Sequence, residues 1–176
     1  MAKRGNFDLM WKTFPDHVAY PTLADLFGFL GGGLKRNIHE PGFGPAGNTC
    51  AARMSRCCNY GGLELSWGTL KALDLNPLSG DDKKPYLFRV SEMKVFLANA
   101  LGRPNATAYK DFTSAFPDKR GIVAYDIANW DDATGHIALW DGKNFREAHD
   151  DYRDRKDDPA TKEKEVQVTK MVLWEL

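Results

Sequence analysis

At Gly121 the apolar residues of this chain change their spacing, and that change restricts the fold more than any other feature. Ahead of it they recur every three or four positions, the period of a helix with one buried face. Phe7, Met10, Trp11 and Phe14 form one such set, stopped by Pro15, and Leu23, Leu26, Phe27 and Leu30 form a second, closed by Gly31-Gly32-Gly33. Behind Gly121 the pattern is that of strands. Gly121 to Asp126 reads as a buried strand, Trp130 to Gly135 as a turn, and His136 to Trp140 as a second strand. Asp141-Gly142-Lys143-Asn144 reads as a hairpin turn, Phe145 to His149 as a return strand and Val166 to Trp174 as a last one. Helices first and an antiparallel meander later predict an α+β fold, with N-terminal helices packed on a C-terminal antiparallel sheet. A chain of 176 residues suits one domain spanning 1–176.

Between these blocks the sequence is punctuated by breakers. Gly31 to Gly47 reads as a flexible connection, and Leu63 to Lys84, with Pro77 and Ser79-Gly80-Asp81-Asp82, as exposed loop. Tyr86 to Val90 predicts a short strand. Ser91 then caps a helix from Glu92 to Leu101, with Gly102 as its stop. Arg103 to Arg120 reads as loop, and Asp150 to Glu165 as a charged, solvated excursion.

Charge narrows the classes of partner. Lys plus Arg and Asp plus Glu number 24 each, so nothing draws the chain to nucleic acid or to an anionic membrane. No apolar run approaches a membrane span, and Met1 to Met10 lacks the apolar stretch and cleavage site of a Sec signal. The three cysteines, Cys50, Cys57 and Cys58, make no disulfide framework, and no paired Cys/His spacing predicts a metal. No cofactor is expected.

Chemistry concentrates at Asn48-Thr49-Cys50, where a glycine-rich run gives way to helical spacing. Ala51, Met54 and Cys58 fall on one stripe, Arg53 and Arg56 on another. Asn48 is a good helix cap, its oxygen able to take a backbone N–H two or three residues on. Cys50 then lies in the first turn, where free N–H groups and the helix dipole favour a thiolate. A small buried cysteine opening a core helix is the competing reading.

A cysteine nucleophile needs a base, and the base an orienting partner. Of His17, His39, His136 and His149, His136 is best placed, at the head of an apolar strand. If the hairpin turns at Gly142-Lys143, Trp140 faces Phe145, Ala138 faces Glu147 and His136 faces His149. Glu147 is then the diagonal neighbour of His136, His149 the alternative orienter, and Asp150 points to the opposite face.

These residues carry a family resemblance. Asn48-Thr49-Cys50-Ala51-Ala52-Arg53-Met54-Ser55, then Tyr86 to Val90, Gly102-Arg103-Pro104, Gly121-Ile122-Val123 and Thr134 to Gly142, resemble the fourth family of type VI secretion amidase effectors. The likeness runs in order to the closing Leu173-Trp174-Glu175-Leu176. It implies a papain-like, NlpC-type cysteine peptidase fold. It also implies cleavage of the peptidoglycan stem peptide between D-glutamate and meso-diaminopimelate, in the periplasm of rival Gram-negative cells. Delivery by the type VI machinery and neutralisation by a cognate immunity protein inserted into the substrate groove come with it.

Carried over by position, the resemblance makes Cys50 the nucleophile, His136 the base and Glu147 the third catalytic residue. Relatives have aspartate where this chain has Glu147, and some have a cysteine pair where it has Phe145 and His149. Thiolate attack would give a thioester, with the Cys50 N–H as one oxyanion donor. Asn48, Arg53, Trp140 and His149 are the expected substrate contacts. The alternatives are a papain-fold hydrolase or transferase acting on another amide, and a non-catalytic wall-binding module of the same fold.

Overall fold

In a computed structural model the chain gathers into two compact units, Met1–Ala100 and Leu101–Leu176. The structure describes residues 5–40, 48–129, 135–154 and 167–176. The expected turn at Trp130 to Gly135, apart from Gly135 itself, and most of the charged excursion after Asp150 fall outside them, as does the glycine-rich run from Gly42.

The first unit is helical. α1 (Phe7–Thr13) starts on Asn6, whose side chain accepts from Leu9 N–H. α2 (Leu23–Leu30) starts on Thr22 in a capping box with Asp25. The predicted connection after it contains a helix, α3 (Gly32–Arg36). Gly31 and Gly32 have φ of +70° and +60°, and a Cβ on Gly31 would run into the carboxylate of Asp81. That carboxylate takes the Gly32 N–H at 2.8 Å.

α4 (Cys50–Tyr60) follows, and nine of its eleven side chains are buried. Its polar members are paired. Ser55 Oγ accepts Leu87 N–H and donates to Leu87 O, and Asn59 bridges Pro85 O and Leu65 N–H. Three short elements occupy ground expected to be loop or longer strand. α5 (Trp67–Ala72) starts on Ser66, and β1 (Leu78–Ser79) pairs with β2 (Pro85–Tyr86). The strand expected over Tyr86 to Val90 reduces to Pro85–Tyr86: the Leu87 backbone bonds to Ser55 Oγ, and α6 (Val90–Leu101) takes Val90, two residues ahead of the expected start at Glu92.

The second unit is a four-stranded antiparallel sheet in the order β3-β6-β4-β5. β4 (Gly121–Ala128), β5 (Gly135–Trp140) and β6 (Gln167–Glu175) lie where the alternation put them. β3 (Ala106–Ala108) comes from the supposed loop and pairs with the end of β6, Ala106 opposite Leu173. One face carries a core that includes Val123, Tyr125, Ala138, Trp140, Phe145 and Leu173. No helix among the described residues is long and apolar enough to cross a membrane.

Candidate active site

Cys50 is the first residue of α4 and is 6% exposed. Asn48 Oδ1 accepts the Cys50 N–H at 3.0 Å, satisfying a donor that the helix leaves over. Cys57 and Cys58 lie deeper on the same helix, both fully buried. Burial alone pushes the Cys58 thiol up to about 12.

Arg53, expected to meet a substrate carboxylate, is 1% exposed and serves the fold instead. Its Nε donates to Thr49 Oγ1 at 2.9 Å, one Nη to Pro15 O and the other to Tyr20 O at 2.7 Å. A guanidinium tolerates burial when oxygen acceptors meet its fork, and here a hydroxyl and two backbone carbonyls do so. The spacing that placed Arg53 on a polar stripe could not register acceptors brought from 33 and 38 residues away.

Arg56 lies on the accessible side of α4, its guanidinium over the Tyr60 ring and 3.6 Å from Asp82. Asp82 Oδ2 accepts from the hydroxyls of Tyr60 and Tyr86, both at 2.7 Å. Partial burial opposes its charge. The Tyr86 and Tyr60 hydroxyls, the Lys84 N–H and Arg56 outweigh that and hold the carboxyl below its ordinary range.

In the second unit His136 is the second residue of β5, directly across from Tyr125 on β4. Its ring stacks near the Tyr125 ring, 6.0 Å between centroids, and lies 4.8 Å from that of Tyr152. Nε2 sits 2.8 Å from Asp150 Oδ1, with the two side chains 7% and 3% exposed. A carboxylate at that distance accepts the Nε2 proton, which fixes the tautomer and leaves Nδ1 as the basic nitrogen.

This overturns the expected register. The hairpin forms as predicted at its base, with Trp140 bridged to Phe145 and Arg146 N–H donating to Leu139 O at 2.9 Å. Past Glu147 the chain leaves the extended state for a 3₁₀ turn, Ala148–Asp150. Alternation of faces ends there, so Asp150, assigned to the far face, reaches the His136 ring. Glu147 has its carboxylate 3.7 Å from His149 Nε2, and His149 is equally far from Asp150 Oδ1. His149 therefore lies beside both carboxylates, half exposed.

Trp140, another expected substrate contact, is a core residue at 4% exposure. Its Nε1 donates to Phe116 O at 3.0 Å, and its ring meets Phe145 and the Arg153 guanidinium. Asp150, Tyr125 and Tyr152 were not singled out by sequence. The Tyr125 hydroxyl and Asp150 Oδ2 are buried and have no hydrogen-bond partner among the described residues. Burial, then the charge of Asp151, pushes the Tyr125 phenol up.

Comparison with known proteins places these features in a family. The family model for the type VI secretion system (T6SS) amidase effector protein 4, Tae4, matches residues 46–174. The chain is similar to Tae4 in the crystal structure of the Tae4–Tai4 effector–immunity complex from Enterobacter cloacae. There the identity is 29% over 98% of this chain and 99% of that one, with a TM-score of 0.78. Tae4 from Enterobacter cloacae solved by itself is 28% identical over 100% and 99%, at 0.77. Tae4 from Salmonella typhimurium, in complex with Tai4 from Enterobacter cloacae, is 26% identical over 98% and 99%, at 0.78. No curated protein matches. The chain belongs to the Tae4 family of type VI secretion amidase effectors and is an antibacterial peptidoglycan amidase of papain-like, NlpC-type fold.

Proposed function

We propose that this amidase is a thiol hydrolase in which Cys50 is the nucleophile, His136 the base and Asp150 the residue that orients the base. The observation that carries the reading is the buried His136–Asp150 couple at 2.8 Å. It holds the imidazole in one tautomer and stabilises the charge that the ring acquires. His136 Nδ1 takes the thiol proton, the thiolate attacks the amide carbonyl, and the imidazolium protonates the departing amine. Water then hydrolyses the thioester. The Cys50 N–H is the oxyanion donor, with the substrate oxygen replacing Asn48 Oδ1 upon it.

The bond assigned is γ-D-glutamyl–meso-diaminopimelate in the stem peptide, and the site of action is the periplasm of a rival Gram-negative cell. Residues 1–176 act as one catalytic domain. Two of the related structures are complexes of Tae4 with the immunity protein Tai4, and a cognate immunity protein is proposed as the inhibitor of this chain too. Digestion of purified sacculi with the protein and with Cys50→Ala, read by chromatography and mass spectrometry, tests the scheme. Products split at the assigned bond by the first and none from the second are expected. Undiminished cleavage by Cys50→Ala refutes it.

A further inference from the structure

Arg53 joins the turn that bears Cys50 to a separate part of the first unit. Its Nε holds Thr49 Oγ1, and its N–H donates to Thr49 O at 3.0 Å, so the residue before Cys50 is gripped through side chain and backbone. The other end of the guanidinium holds Pro15 O and Tyr20 O, both within the α1–α2 connection. That connection is itself closed. Tyr20 N–H donates to Asp16 O and Ala19 N–H to Asp16 Oδ1, both at 2.9 Å. The Tyr20 ring stacks on Phe29 of α2 at 4.3 Å. Thr49 is 7% exposed and Arg53 1%, so water does not substitute for these bonds.

We infer that Arg53 is a positioning residue of the amidase: acting through Thr49, it sets the placement of the Cys50 sulfur for attack. This rests on Cys50 being the nucleophile. The planar fork suits the task. Three bonds in fixed directions define an orientation, whereas a lysine would offer a point charge able to reach one acceptor. Misplacing a nucleophile by about 1 Å costs on the order of 100-fold in rate without weakening substrate binding.

The test uses soluble muropeptides as substrate and compares Thr49→Val, Thr49→Ser and Arg53→Lys, with each kcat corrected for the folded fraction. Valine has the shape of threonine without the acceptor; serine restores it. Thr49→Val and Arg53→Lys are each expected to lose about 10- to 100-fold in kcat with KM within about twofold. Thr49→Ser is expected to recover most of the kcat. Should Arg53→Lys fail to fold, the Thr49 pair still decides. A lower melting temperature with kcat per folded molecule unchanged overturns the inference, as does a rise confined to KM, which would mark a substrate contact. Cleavage by Cys50→Ala would remove the nucleophile assignment beneath it. An inert Cys50→Ala alongside a fully active Thr49→Val removes the positioning role alone.

Discussion

Asp150 Oδ1 lies 2.8 Å from His136 Nε2, and the two residues stand 14 apart in the chain. The carboxylate comes from a 3₁₀ turn and the imidazole from the head of a strand. A turn of this kind sets an acid against a histidine that strand pairing alone would have left facing His149.

Asp150→Asn keeps the size of the side chain and reverses the preference for tautomer. It is expected to lower kcat on muropeptides by about 10² to 10⁴, as loss of the orienting acid does in serine hydrolases. Glu147→Gln is expected to lower kcat far less, because its carboxylate lies 3.7 Å from His149 Nε2. The opposite ranking in steady-state kinetics would return the role to Glu147.

The thiols are expected to separate sharply. Iodoacetamide at pH 8 should modify one equivalent, at Cys50, and abolish hydrolysis. Cys58, pushed up to about 12 by burial, stays a thiol at that pH and out of reach. Peptide mapping in buffer and in urea reads this directly. Labelling of Cys58 in the native protein would contradict it.

Asp82 makes stability depend on acid. Its carboxyl is held below the ordinary value, so its contribution is complete above the unfolded pKa of about 4. That contribution is lost as pH falls through the lower folded value. Asp82→Asn is expected to melt lower than the parent at pH 7, and the gap should close below about pH 4. Thermal melts across that range check the sign; a gap that widens in acid would reverse it.

Tyr125→Phe removes a buried hydroxyl that has no partner among the described residues. Its removal is expected to leave the protein as stable or to add up to about 1 kcal/mol. Urea unfolding with an unchanged slope supplies the measurement. A loss above about 2 kcal/mol would mean that the hydroxyl has a partner in solution.

Much of the architecture was legible because it is periodic or capped. Leu23, Leu26, Phe27 and Leu30 recur at the helical spacing and form the buried side of α2, and Gly121 starts β4 where the spacing changes. The hairpin base was legible too, down to Trp140 opposite Phe145. What escaped depended on partners distant in sequence. Ala106–Ala108 is a strand because Leu173, Val172 and Met171 pair with it. Asp150 escaped for the opposite reason. The local turn Ala148–Asp150 cancels the alternation over the three residues that lead to it. Arg53 and Trp140 are of types that suit a ligand, and each has hydrogen-bond partners inside the protein.

The burial of α4 bears on how such effectors diversify. With Arg56 and Tyr60 the only two of its eleven side chains outside the core, saturation mutagenesis should find the helix intolerant at nearly every site. Divergence among toxins of this kind, including any escape from a neutralising partner, is then channelled into residues outside α4.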